Sequence, residues 1–127
     1  MEKQIKQVES FHNAFLEKNA ESPELTSENT FLLRHRLMQE ENDEYLEACW
    51  QGDIIGIADA LGDQLYILCG TILKHGLQNK IVEVFDEIQR SNMSKLGEDG
   101  KPIFREDGKI LKGPNYFRPD IKSILEE

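Results

Sequence analysis

Twenty consecutive residues, 54–73, read IIGIADALGDQLYILCGTIL and contain only two charged side chains, Asp59 and Asp63. Apolar residues fall on every face that this segment would have as an α-helix, a pattern that is typical of a helix buried in a core. A buried carboxylate without a partner is strongly unfavourable. The segment therefore predicts a buried helix whose two aspartates, one helical turn apart, meet a positive group.

A second acidic group lies upstream, at Glu40, Glu41 and Glu44. These positions share one side of a helix, and a short connection predicts that this helix packs antiparallel to the next one. Counting from the connection places Glu44 level with Asp59. It likewise places Glu40 level with Asp63. Up to five carboxylates would then face one pocket, and an oxygen-only cluster of this kind favours Mg²⁺ or Mn²⁺.

Each acidic group also has a simpler interpretation. A run of glutamates is usually a solvated helix face. Aspartates inside an apolar helix are harder to explain in that way, and they favour a functional site.

The remaining pattern predicts an all-α fold, an antiparallel bundle of four to five helices with an irregular or hairpin C-terminal tail. Apolar residues at three- and four-residue steps predict helices around the central segment, which Asp53 caps and Gly76 ends; their ranges are residues 2–18, 28–51 and 78–96. Thr26 and Ser27 offer N-cap chemistry for the second of these helices.

Beyond Gly97 the pattern changes to turns. Asp107-Gly108, flanked by short apolar pairs, predicts a hairpin, and Pro119-Asp120 predicts a last helical turn. We expect one domain, with a helical body over residues 1–96 and a basic, turn-rich tail over residues 97–127.

Composition narrows the class of protein. The 127 residues are 39% hydrophobic and 31% charged, with a formal net charge of −9, as in an ordinary soluble domain. The acidic balance argues against nucleic-acid binding. The best apolar run is interrupted by two aspartates, and the N-terminus is polar, so we expect neither a membrane span nor a signal peptide. We therefore expect a cytoplasmic protein.

The acidic motifs resemble those of a known superfamily. Glu40-Glu41-x-x-Glu44, followed by an acidic pair that ends in Asp63, is similar to the E-E-x-x-E and E-x-x-D pattern of the all-α NTP pyrophosphatases. That group includes MazG-type enzymes, dimeric dUTPases and phosphoribosyl-ATP pyrophosphohydrolases. The resemblance covers residues 28–96, and the tail resembles a phosphoribosyl-ATP-pyrophosphohydrolase-like branch.

One position departs from that pattern. Ala60 stands where a glutamate is expected, three residues before Asp63, and the acid is at Asp59 instead. A shift of one residue turns a side chain by about 100° around a helix. Asp59 would therefore approach a metal ion from the neighbouring ridge.

The resemblance implies an enzyme that cleaves a nucleoside triphosphate between its α and β phosphorus atoms, giving a monophosphate and pyrophosphate. It implies Mg²⁺ or Mn²⁺ as cofactor, with Glu40, Glu41, Glu44 and Asp63 as ligands and Asp59 as a further candidate. Glu41 and Glu44 are then the candidate catalytic residues, since a glutamate can orient or deprotonate the attacking water.

Polar residues near the tail are candidates for substrate binding. Asn92 and Lys95 fall at the end of the fourth predicted helix, and Lys112, Asn115 and Tyr116 flank a Gly-Pro turn. Lysine can bind phosphate as a point charge, and an amide can bind a sugar or a base. An ordinary helix end and an ordinary turn would have the same composition.

Partners and alternatives follow from the same features. The central helix has more apolar surface than one small bundle covers. The resemblance also implies a dimer or a dimer of dimers, so we expect a homodimer or a dimer of dimers. The alternative to an enzyme is a non-catalytic helical scaffold or a nucleotide-binding regulator that kept the acidic pocket. Phosphoribosyl-ATP pyrophosphohydrolysis in histidine biosynthesis is a further alternative. No pattern identifies the base or the sugar.

Overall fold

The computed structural model describes residues 1–127 and contains five helices and no strand. The helices are α1 (Glu2–Ala14), α2 (Glu28–Trp50), α3 (Ile54–Lys74), α4 (Ile81–Met93) and α5 (Ile121–Leu125). The chain forms two compact units, residues 1–79 with α1, α2 and α3, and residues 80–127 with α4, the tail and α5. The predicted all-α fold is confirmed.

The long helices α2 and α3 begin at side-chain caps. The Ser27 side chain accepts a hydrogen bond from the Thr30 backbone N–H, and the Asp53 side chain accepts one from the Gly56 N–H. Each cap satisfies a donor that the first helical turn leaves free. Both helices therefore begin where the sequence predicts.

Polar contacts along α2 and α3 show that they pack antiparallel. At the middle of both helices, the Gln64 amide donates to the Asn42 side-chain oxygen over 3.3 Å. At the far end, the Arg34 guanidinium donates to the Ile67 carbonyl over 2.8 Å and to the Thr71 hydroxyl over 3.1 Å. Residue numbers rise along one helix as they fall along the other, as the short connection predicted.

Helix α1 packs against α3 through one buried stripe. Ile5, Val8 and His12 are buried on α1, and Leu73 on α3 has no exposed surface. The His12 ring nitrogen Nδ1 lies 2.6 Å from the Asn19 side-chain oxygen, so its polar atom is satisfied next to the core. The core of the first unit therefore lies around the C-terminal half of α3.

Helix α1 ends at Ala14, four residues before the predicted end at Lys18. Leu16 has a φ of 60°, a left-handed conformation that leucine rarely adopts, and it turns the chain back. The Glu17 N–H donates to the His12 carbonyl over 2.8 Å and closes the turn. Hydrophobic periodicity continues through the turn, so the pattern overestimates the length of the helix.

Helix α3 is far more exposed in the single chain than the sequence predicts. Ile54 and Ile55 are 73% and 80% exposed, and neither Asp59 nor Asp63 is buried. The prediction that the helix is buried on every face is therefore wrong for one chain, because α1 and α2 cover only part of its circumference. By length and composition alone, α3 could also cross a membrane, although core helices of soluble proteins often meet the same criterion.

The second unit is a helix to which the tail is tied by hydrogen bonds. The Ser91 hydroxyl donates to the Phe117 carbonyl over 2.8 Å, and the Phe117 N–H donates to the Ser94 hydroxyl over 3.2 Å. Further along, the Gly113 N–H donates to the Lys95 carbonyl over 2.8 Å. These bonds hold the loop of residues 95–117 closed upon the C-terminal end of α4.

The predicted elements of the second unit are present in shorter form. Helix α4 occupies 81–93 instead of 78–96. The predicted hairpin is a single antiparallel bridge between Phe104 and Ile110, next to a turn in which Gly108 has a φ of 86°. Asp120 caps α5, as expected from Pro119-Asp120.

Candidate active site

Three carboxyl groups from α2 and α3 converge in the first unit. Oxygen atoms of Glu41, Glu44 and Asp63 all lie within 4.8 Å of one another. Glu41 is half-buried, and its Oε2 atom is buried without a hydrogen-bond partner. We call these three residues the carboxylate cluster.

The local sequence explains why the cluster forms. Glu41 and Glu44 are three residues apart on α2 and therefore lie on neighbouring turns of one side. Asn42 and Gln64, which hydrogen-bond across the two helices, are the sequence neighbours of Glu41 and Asp63. This bond places the glutamates of α2 at the level of Asp63 on α3.

The surroundings of Glu41 disfavour its negative charge. Burial, the close approach of the Glu44 carboxyl, and the charges of Asp63 and Asp59 raise the pKa of Glu41 to about 7. Near neutral pH this carboxyl is therefore protonated in part of the molecules, whereas an ordinary glutamate is fully ionised.

Two other predicted ligands lie outside the cluster. The charge of Asp59 raises the pKa of Glu41, so Asp59 faces the cluster without belonging to it. Glu40 is exposed on α2. Ala60, where the pattern expects glutamate, is only 2% exposed, so this position of α3 serves packing and the acid stands one residue earlier.

The cluster fits a hard divalent cation. Three carboxylates supply only oxygen donors, which Mg²⁺ and Mn²⁺ prefer. A buried oxygen without a partner, Glu41 Oε2, is the kind of atom that a cation would satisfy. The repulsion among the three carboxyls would also be relieved by a positive charge between them.

The predicted substrate-binding residues all lie in the second unit. Asn92 is exposed on α4, and the Lys95 carbonyl accepts the bond from the tail that precedes Asn115. The Lys112 ammonium lies 4.7 Å from the centre of the Tyr116 ring, a cation–π contact. The two candidate groups, which the sequence treats separately, are therefore tied into one loop.

Sequence reasoning missed an aromatic group beside the cluster. Tyr66 follows Asp63 by three residues on α3, and its ring contacts that of Phe11 on α1. Phe15 extends the group. The spacing of Asp59, Asp63 and Tyr66, which places them on one face of a helix, was the signal in the sequence.

The chain matches a known protein family over most of its length. The family model described as phosphoribosyl-ATP pyrophosphohydrolase matches residues 8–92, which include the whole carboxylate cluster and the aromatic group beside it. No match was found among curated proteins.

Among solved structures, the chain is similar to a crystal structure at 1.78 Å resolution of a protein from Exiguobacterium sp. 255-15, described provisionally as an NTP pyrophosphohydrolase. The two chains share 24% identity with a TM-score of 0.55, and the match covers 97% of this chain and 94% of the other. At this identity, the likeness supports the fold.

Proposed function

Because this chain belongs to the phosphoribosyl-ATP pyrophosphohydrolase family, we propose that it is a Mg²⁺-dependent nucleoside triphosphate pyrophosphohydrolase. It would add water across the α–β phosphoanhydride and release a nucleoside monophosphate and pyrophosphate. The observation that carries the proposal is the carboxylate cluster with its unpartnered Glu41 oxygen. Its role would be to control the nucleotide pool of the cytoplasm.

The ligands of the cation would be Glu41, Glu44 and Asp63, with Mn²⁺ as the alternative ion. Glu40 and Asp59 would contribute negative charge from either side of the cluster. A divalent ion at such a site neutralises phosphate charge and lowers the pKa of bound water.

Glu41 is suited to proton transfer in this reaction. Without a cation, burial and the neighbouring carboxyls raise its pKa to about 7, and a bound cation would lower this pKa and keep Glu41 as a carboxylate that can accept a proton. In the proposed reaction the water oxygen bonds to one phosphorus of the anhydride, the bridging oxygen departs with the other, and a glutamate accepts the proton of the water. Glu44, whose carboxyl approaches Glu41, would hold that water in place.

Basic and polar residues of the tail are the further candidates for substrate contacts. Lys95 and Lys112 carry positive charge in the loop that hydrogen bonds close, and a lysine is a common partner of phosphate. Asn92, Asn115 and Tyr116 would contact the sugar.

A second candidate substrate is phosphoribosyl-ATP, which the description of the matching family favours. Its hydrolysis breaks the same α–β bond. The carboxylate cluster would act identically on both substrates, so only the rest of the nucleotide distinguishes them.

The test is pyrophosphate release from a panel of the common nucleoside triphosphates, dUTP and phosphoribosyl-ATP, with Mg²⁺, Mn²⁺ or a chelator. We expect turnover that depends on metal and falls at least about a hundredfold in Glu41→Gln and Asp63→Asn. Asp43→Asn is the matched control, since Asp43 is an exposed acid of α2 outside the cluster. It should keep wild-type turnover.

Two results would contradict the proposal. Turnover that is equal with and without metal would show that the reaction does not use a cation at the carboxylate cluster. Metal binding without turnover of any substrate would instead establish the scaffold or nucleotide-binding regulator.

A further inference from the structure

Three side chains of α3 form one stripe that runs away from the carboxylate cluster. Asp59, Asp63 and Tyr66 are spaced at four and then three residues, so they lie on one face of the helix. Tyr66 begins about 5 Å further along the axis than Asp63. The stripe therefore passes from carboxylates to an aromatic ring within one helical turn.

Two rings from α1 extend this aromatic surface. The rings of Tyr66 and Phe11 meet edge to face, with centroids 5.6 Å apart and an interplanar angle of 83°. The Phe15 ring follows, 4.5 Å from that of Phe11. We call Phe11, Phe15 and Tyr66 the aromatic platform.

The platform is exposed, although its residues are apolar. Tyr66, Phe11 and Phe15 are 43%, 42% and 67% exposed. Aromatic faces left in water favour a flat ring as a ligand, because stacking removes apolar surface from water on both sides.

The position of the platform argues for one particular ligand. A nucleotide with its phosphates at the carboxylate cluster has its sugar next to them and its base on the far side of the sugar. About one helical turn separates the cluster from Tyr66, a distance that one sugar spans. Every nucleobase has a π-face, so a platform of this kind accepts bases by stacking rather than by their hydrogen-bonding edges.

We propose that the aromatic platform is the base-binding subsite of the enzyme and stacks the nucleobase of a nucleotide whose phosphates lie at the carboxylate cluster. This inference rests on the proposed function. It adds that the first unit binds the base chiefly by stacking, so discrimination among bases at this subsite is weak.

The test separates binding of the base from binding of the phosphates. The variants are Tyr66→Leu, which removes the ring, and Tyr66→Phe, which keeps it. Phe85→Leu is the matched control, because Phe85 is an exposed aromatic residue of α4, outside the platform. The probes are the best nucleotide of the panel and inorganic tripolyphosphate, a competitor without a base.

We expect Tyr66→Leu to raise KM for the nucleotide by about tenfold, with little change in kcat, since base–aromatic stacking has this size. The inhibition constant of tripolyphosphate should stay as in the wild type. Tyr66→Phe and Phe85→Leu should behave as the wild type.

Three results would overturn the inference. One is an unchanged KM in Tyr66→Leu. Another is an equal weakening of tripolyphosphate, which would mean that Tyr66 only supports the carboxylates. The third is dissociation of an oligomer by Tyr66→Leu, measured by sedimentation, which would make the platform a contact between copies of the chain.

Failure of the proposed function gives a different result, namely no turnover by the wild type. The platform is then tested by NMR saturation transfer to the base protons of AMP in the presence of Mg²⁺. Transfer that is lost in Tyr66→Leu would keep the platform as a base site, and no transfer in the wild type would overturn it.

Discussion

In the unfolded chain the Glu41 carboxyl is surrounded by water. In the folded chain its Oε2 atom is buried beside two other carboxyls. Its pKa rises from an ordinary 4.5 to about 7 for this reason. Between these two values the folded chain keeps a proton that the unfolded chain has lost. Folding is therefore linked to proton uptake at this one residue.

This linkage predicts how stability depends on pH without metal. Below pH 4.5 both states hold the proton, so Glu41 has no effect; as pH rises toward 7 the unfolded state ionises first, and the free energy of unfolding falls. We expect Glu41→Gln to abolish this loss, which should be on the order of 1–3 kcal/mol. Denaturant unfolding in a chelator from pH 4 to pH 8 measures it.

The matched control is again Asp43→Asn, which should lose stability over this pH range as the wild type does. Mg²⁺ should restore stability above pH 7, because it binds the ionised carboxyls of the folded chain only. If Glu41→Gln and the wild type show the same dependence on pH, the carboxyl of Glu41 is not the group that takes up the proton.

The sequence predicted part of this site. Spacing along α2 and the antiparallel turn placed Glu41, Glu44 and Asp63 in one pocket, and the structure brings these three together. The raised pKa of Glu41 could not be predicted, because it depends on burial by the opposite helix. Tyr66 was missed because apolar periodicity assigned it to the core, although its spacing from Asp63 is visible in the sequence.

At the scale of helices, two glycines end α2 and α3 in the same way. Gly52 and Gly76 have φ values of 65° and 68°, a conformation that disfavours any side chain. Their surroundings differ. A Cβ atom at Gly52 would meet nothing within 4 Å, whereas one at Gly76 would lie 2.0 Å from the carbonyl oxygen of Ser22.

These helix ends therefore predict unequal costs for one substitution. Gly52→Ala should destabilise the chain by about 1–2 kcal/mol through backbone strain alone. Gly76→Ala should cost about 1–3 kcal/mol more, because the Ser22 backbone must also move. Denaturant unfolding of both variants measures the difference, and equal losses would contradict the close approach at Gly76.

Helix starts were easier to predict than helix ends. Ser27 and Asp53 predict the starts of α2 and α3, because each is a residue type that caps helices and can be recognised in the sequence. The end of α1 depends on Leu16 in a left-handed conformation, which leucine does not signal. The end of α4 at Met93 is followed by hydrogen bonds from the distant Phe117, which local pattern cannot contain.

At the scale of the whole molecule, exposed apolar residues on α3 predict self-association. Leu65 is 56% exposed, and other apolar side chains of α3 are exposed as well. An apolar surface of this kind favours a symmetric interface with a second copy of the chain. We expect a homodimer or a dimer of dimers in solution. Leu65→Lys should weaken it about tenfold or more.

Sedimentation equilibrium over a range of concentrations measures this assembly. Leu25→Lys is the matched control, since Leu25 is exposed in the loop before α2 and away from α3. It should assemble as the wild type does. A wild-type chain that remains monomeric at every concentration would contradict the expectation.

The fold as a whole was largely predictable, and the exception has a physical cause. Period and caps indicate helices and their antiparallel order, because both are local properties of the chain. The apolar pattern of residues 54–73 also predicted burial. It does not show whether the same chain or a second chain covers the helix. A helix covered by its own chain and one covered by another chain have the same composition.

The division into two compact units has a consequence for the order of events during synthesis. The carboxylate cluster lies wholly within residues 1–79, whereas Phe117, which hydrogen-bonds to α4, is made later. At cellular translation rates, about 2–8 seconds separate the synthesis of residue 79 from that of Phe117. A nascent chain would thus hold all three carboxylates before the loop that carries Lys95 and Lys112 can close, and a cation bound there would help the first unit fold while the rest is still being made.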